Sequence, residues 1–225
     1  NLAVSGSGER VTSENPAFDA TAKFSGVESE FGSVASGEAA AKGDLKALIA
    51  DLRINGLDAA GVTVASANVS GGAENVTTEN PGFDIKATFD KADLGAAKVA
   101  SGEATAKGDL ADLTARAKIN RITAAGASVA SATLDARVRE ATGGDPKIAA
   151  KLLVNNGDLG AAKLARVTLG ADGPLSALGL KIDAKGALED GREITFASAA
   201  KANFADAAGP KASISRLRLA SEDTE

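Results

Sequence analysis

Residues 164–175 read LARVTLGADGPL, and their reading decides the fold. Two earlier stretches hold the same place in an internal repeat: VASGEAAAKGDL at 34–45 and VASGEATAKGDL at 99–110, each 65 residues before the next. Taken alone, Ala-Ala-Ala-Lys favours a helix. One structural slot must accept all three versions, however. The third sets Val167, Thr168 and Leu169 at strand-like spacing and stops at Pro174. The slot also takes glycine in mid-segment and closes on a turn signal, Gly43-Asp44 in the first copy. It reads as a β-strand.

Outward from this slot, residues 11–75 and 76–140 agree at about half their positions without a gap. Val11-Thr12 matches Val76-Thr77, Glu14-Asn15-Pro16 matches Glu79-Asn80-Pro81, and Ile54-Asn55 matches Ile119-Asn120. A third, more diverged copy at 141–207 keeps the offset: Pro146 follows Pro81, and DLGAAK at 158–163 repeats 93–98, before an insertion near Glu189-Asp190-Gly191. Partial copies occupy 1–10 and 208–225, so the expectation is a single elongated β-repeat segment cut from a longer array. The absence of methionine leads to the same expectation.

The remaining segments alternate with a period of two. Phe18, Ala20, Ala22 and Phe24 oppose Asp19, Thr21 and Lys23; Phe83, Ile85, Ala87 and Phe89 oppose Asp84, Lys86, Thr88 and Asp90. Ile148, Ala150 and Leu152 repeat the pattern, as do Leu48, Ala50, Leu52 and Ile54, then Leu113, Ala115 and Ile119, then Leu178, Leu180 and Ile182. Val62–Glu74 reads as one long strand or two. Turn tokens at Ser25-Gly26, Gly43-Asp44, Asn55-Gly56 and Ala60-Gly61 are expected to separate four or five strands per repeat. The result is an all-β array with one apolar and one charged face.

Composition narrows the function. There is no His or Cys, which argues against transition-metal sites and rules out Ser-His-Asp and Cys-His nucleophiles. The net charge of −5 argues against nucleic acid as a partner. Glu28 with Glu30, and Glu189 with Asp190, read as solvated carboxylates beside turns rather than acid–base pairs. Ser5–Gly8 and Gly143-Gly144-Asp145 read as turns rather than phosphate or calcium loops. No apolar run reaches the length of a membrane-spanning helix. Repetition itself weighs against catalysis, and the expectation is a non-enzyme without cofactor or metal. The apolar face has two readings: a closed sandwich or solenoid core, or a groove left open for an apolar ligand. Only seven phenylalanines and no other aromatic are available to fill a core, and Ala35, Gly37, Ala39 and Ala41, with Ala100, Gly102, Ala104 and Ala106, leave space.

The stretches DLKALIADLRINGLDAAGVTVASANVSG (44–71), DLADLTARAKINRITAAGASVASATLDAR (109–137) and DGPLSALGLKIDAKGAL (172–188), with ISRLRLA at 214–220, resemble the TamB branch of the AsmA-like envelope proteins. The resemblance covers nearly the whole chain. It implies an elongated curved sheet, a β-taco or repeating β-groove of ~65-residue repeats with an apolar concave face. It also implies a periplasmic segment of an inner-membrane-anchored protein of a Gram-negative bacterium. Such a segment conducts phospholipid acyl chains between the membranes, in partnership with an outer-membrane barrel of the TamA type reached through regions outside these residues. The expected lining is Phe18, Phe24, Leu48, Leu52, Ile54, Phe83, Phe89, Leu113, Ile119, Ile148, Leu152, Leu178, Leu180 and Ile182. The rival is a structural or adhesive β-solenoid, three coils of about 22 residues per repeat around a dry core.

Overall fold

The computed structural model describes residues 1–9, 15–205 and 209–222. Val11, Thr12 and Glu14 of the first repeat lie outside them. Fourteen strands follow in chain order, each antiparallel to the last within its unit and without a crossover. The first compact unit, Asn1–Leu110, holds β1 (Leu2–Glu9), β2 (Ala17–Ser29), β3 (Gly32–Gly43), β4 (Ala47–Ala59), β5 (Val62–Glu74), β6 (Gly82–Asp93) and β7 (Ala97–Gly108). The second, Ala111–Glu225, holds β8 (Asp112–Ala124), β9 (Ala127–Arg139), β10 (Lys147–Asp158), β11 (Ala162–Pro174), β12 (Leu178–Leu188), β13 (Glu193–Asn203) and β14 (Lys211–Glu222). Each is an open, curved meander, not a barrel. The disputed slot is β3, β7 and β11, a strand in all three copies, and Val62–Glu74 is one strand.

Four strands make a repeat: β2–β5, then β6–β9, then β10–β13. The insertion of the third copy falls in the β12–β13 connection, Glu189–Arg192, which is longer than the two-residue turns at Ala60-Gly61 and Ala125-Gly126. Those two turns have positive φ at both positions (51° and 82°; 45° and 84°), the type I′ backbone whose twist suits a tight hairpin.

Ser25-Gly26 and Asn55-Gly56 are not turns between strands, contrary to the sequence reading. They lie inside β2 and β4. One left-handed residue recurs in each: Gly26 (φ 57°) and Gly56 (φ 61°), then Lys91 (51°) in β6, Arg121 (48°) in β8 and Asn156 (51°) in β10. A Ser-Gly or Asn-Gly step supplies positive φ. Two such residues in succession reverse a chain, but one flanked by extended neighbours only bends the strand.

These residues line up. The ladder between β2 and β3 runs through Ser25↔Ser36 and resumes at Val27↔Val34, leaving Gly26 and Ala35 facing each other without a bridge. The same gap falls at Ala35 and Gly56, at Gly56 and Ala65, and at Ala65 and Lys91. Lys91 and Ala100 continue it. In the second unit it passes through Arg121, Ala130, Asn156 and Ala165. Every residue opposite the left-handed ones is alanine. Between β11 and β12 a register shift at Leu164/Arg166 takes over the role. Each unit is thus creased along a line crossing its strands, with a long wall on one side and a short lip of hairpin ends on the other.

A second recurrent device ties the far ends of the wall. Asn15 Oδ1 accepts the Leu45 amide at 2.9 Å, and Asn80 Oδ1 the Leu110 amide at 2.9 Å. Asp145 does the same for Ser176, accepting its amide at 2.9 Å and its hydroxyl at 2.5 Å. The Asn-Pro signal therefore marks a clip between successive loops as well as a turn.

Candidate functional site

Directly opposed residues of neighbouring strands share a side of the sheet. In the first unit one row runs Phe24, Gly37, Ile54, Ala67, Phe89 and Gly102. Parallel to it are Ala22, Ala39, Leu52, Val69, Ala87 and Ala104, then Ala20, Ala41, Ala50, Gly71, Ile85 and Ala106, then Phe18, Gly43, Leu48, Ala73, Phe83 and Gly108. All seven residues expected to line a groove here lie on this one side. In the second unit Leu113, Ile119, Ile148, Leu152, Leu178, Leu180 and Ile182 share the apolar side with Leu134, Val154, Val167 and Leu169.

The opposite side is polar. Lys23 and Glu38 pair at 3.3 Å, Lys42 and Asp19 at 3.3 Å, Lys107 and Asp84 at 2.9 Å, and Arg116 and Asp135 at 3.0 Å. All are exposed and contribute little to stability. Their effect is on register, because a one-residue slip would carry these charges to the apolar side.

The alternation predicted from period two stops at the crease. Positions 24 and 27, three apart, would lie on opposite sides of a straight strand. The left-handed residue between them restarts the pattern. The lip row Val27, Val34, Leu57, Val64, Ala92 and Val99 is apolar throughout, and Ala92 and Val99 are only 7% exposed, while the crease residues Gly26, Gly56 and Lys91 are exposed. Ile122, Val129 and Leu164 continue the pattern in the second unit. The apolar surface of each unit therefore turns the corner. Sequence reasoning missed the lip residues. Their signal is an apolar residue, a short polar one, a left-handed one and an apolar one again: Phe24-Ser25-Gly26-Val27, Ile54-Asn55-Gly56-Leu57, Ile119-Asn120-Arg121-Ile122.

Two expectations about small residues change. Ala35 and Ala100 stand in the crease and not in the apolar rows. Gly37 and Gly102 are not empty space: a methyl group built on Gly37 would overlap Cζ and Cε2 of the Phe24 ring, and one on Gly102 would overlap Cε1 and Cζ of Phe89. The rings lie down across the neighbouring strand where no side chain resists them.

No layer covers this surface among the described residues. All strands belong to the meanders, and the helical content is a three-residue 3-10 turn at Leu175–Ala177. Val69 and Ile85, in the middle of the first unit's apolar side, stay 38% and 40% exposed. Among the described residues, the only apolar side chains shielded as a core would be are Ala92, Val99, Leu178 and Ala202. The Asp145 carboxyl is held below its ordinary value by the Ser176 hydroxyl and amide, and Asp112 is lowered by Arg137. No cluster of metal-ligating side chains occurs among the described residues.

The structure thus defines an open, repeating antiparallel β-meander with a continuous apolar side in each unit. No family model matches the chain, and no curated protein or solved structure matches it.

Proposed function

We propose that this chain is a non-enzymatic conduit segment whose apolar side binds phospholipid acyl chains and lets them slide between the inner and outer membranes, in the periplasm of a Gram-negative bacterium. The observation that carries the reading is the exposure of Val69 and Ile85, which lie on β5 and β6, strands paired on both sides. Apolar surface that is continuous, uncovered and repeated suits an apolar ligand that is itself long. Each methylene leaving water contributes ~0.8 kcal/mol. A track that keeps that gain from one strand to the next presents low barriers, and no chemistry is needed. A barrel of the TamA type, met outside these residues, is the partner this reading implies.

The rival solenoid stacks its coils in parallel register around a dry interior. Every described pairing here is antiparallel, and Val69 and Ile85 are exposed on the apolar side, which favours the open reading. Photo-crosslinking residues at Phe24 and Phe89 are expected to capture phospholipid in the cell envelope, while residues at Lys23 and Asp90, on the polar side, are not. Capture only from the polar side sinks the reading. Native mass spectrometry of the purified chain is expected to show bound lipid.

A further inference from the structure

Phe89 and Gly102 are partners across β6 and β7, and the ring of Phe89 occupies the place of the side chain Gly102 lacks. The arrangement repeats 65 residues earlier, where Phe24 lies on Gly37 across β2 and β3. Both pairs stand in the row beside the crease, where wall and lip meet. An aromatic side chain on a pleated sheet normally stands off its strand. Laid across a glycine it covers the exposed backbone and keeps a low profile, the cross-strand rescue of glycine by an aromatic ring. Gly102 is the cleaner of the two. The three nearest atoms to a methyl group there all belong to the Phe89 ring, whereas at Gly37 the Arg53 carbonyl oxygen also stands 2.8 Å away.

We infer that Gly102 and Gly37 are positioning residues: by holding the rings of Phe89 and Phe24 flat they keep the corner beside the crease clear for a single flexible hydrocarbon chain. The inference rests on the conduit reading and adds to it which residues set the clearance. A methyl at Gly102 forces the Phe89 ring up into the corner. Removing the ring in the same molecule relieves the block.

The test uses the full chain and a palmitate bearing a mid-chain diazirine, with adducts mapped by peptide mass spectrometry. Wild type is expected to be labelled on the segment 83–106. Gly102→Ala is expected to reduce adducts there about ten-fold, the equivalent of about two methylenes of lost contact. Gly102→Ala/Phe89→Leu is expected to restore them, although it is further from the native sequence. Equal labelling of wild type and Gly102→Ala overturns the inference and leaves the conduit reading standing. Loss without recovery in the double variant also overturns it, since the defect would then lie in the backbone. A wild type labelled nowhere on the apolar side overturns both. If Gly102→Ala is too unstable to label, the same cycle is read by thermal melting. The two substitutions are then expected to couple, and additive shifts overturn the inference.

Discussion

Lys91 faces Ala100 across β6 and β7 with no bridge between them, in a left-handed backbone (φ 51°) that suits glycine or asparagine far better than lysine. The copies of this position 65 residues before and after it carry glycine (Gly26) and asparagine (Asn156), both left-handed. The crease is therefore set by its place in the repeat and tolerates residues that resist it. A left-handed L-residue costs about 1–2 kcal/mol, and glycine recovers most of that. Lys91→Gly is expected to stabilise the protein by about 1 kcal/mol, raising the melting temperature by roughly 2–4 °C. A lower melting temperature would show that the crease is held by the lysine and not despite it.

The converse change belongs at Gly56. A methyl group there would meet the Ala35 methyl at 2.8 Å and would have to accept φ 61°. Gly56→Ala is expected to cost about 1–2 kcal/mol in chemical denaturation. A neutral result would mean that the bend at β4 can be lost without consequence.

The clips differ in how much each residue holds. Asn15 accepts the Leu45 amide and donates to Asp44 at 2.9 Å in a part-buried setting, whereas Asn80 holds its amide in the open. Asn15→Ala is therefore expected to lose about 1–1.5 kcal/mol and Asn80→Ala about 0.5 kcal/mol. The reverse order in urea titrations contradicts the assignment of the clip.

Asp145 makes the third clip sensitive to acid. Its carboxyl is held below the ordinary value of 3.8 by hydrogen bonds from Ser176. A depressed pKa stabilises the fold fully above the ordinary value, and the contribution disappears as pH falls through the lowered one. Asp145→Asn is expected to reduce the melting temperature at neutral pH, with the difference from wild type closing well below pH 3.8. A difference that is constant across that range would remove Asp145 from the acid transition.

Charge on the apolar side should be tolerated or not according to cover. Val99 in the lip is 7% exposed, and Val69 in the wall 38%. Val99→Asp is expected to cost about 3 kcal/mol or more, combining lost burial with an unpaired charge. Val69→Asp is expected to cost clearly less, because its carboxylate reaches water. Equal losses would mean that the wall is as closed as the lip.

How far the sequence could be read followed from where its periodicity held. Phe18 to Phe24 and Phe83 to Phe89 alternate cleanly, and the structure places them and their strands on the expected side. LARVTLGADGPL corrected the helical look of VASGEAAAKGDL because propensity belongs to one copy and the slot to all three. Reading failed at Ser25-Gly26 and Asn55-Gly56. The dipeptides report the backbone angle of one residue, and whether that angle makes a turn or a bend depends on the next residue's conformation. Since Val27 and Leu57 follow that step, their side could not be assigned without the structure. Gly37 and Gly102 misled in another way. Their bareness looks like vacancy along the chain and proves to be occupied across it.

The crease residues fall 30 and then 35 positions apart along the chain: Gly26, Gly56, Lys91, Arg121, Asn156. Each interval carries one bent strand, one straight strand and their loops. Duplicating or deleting one interval adds or removes two strands, about 9.6 Å of sheet width. Chain direction, apolar side and crease position all survive the change, because two strands restore every alternation. The length of such a protein is therefore free to evolve in steps of a single hairpin, without the rest of the sheet having to adapt.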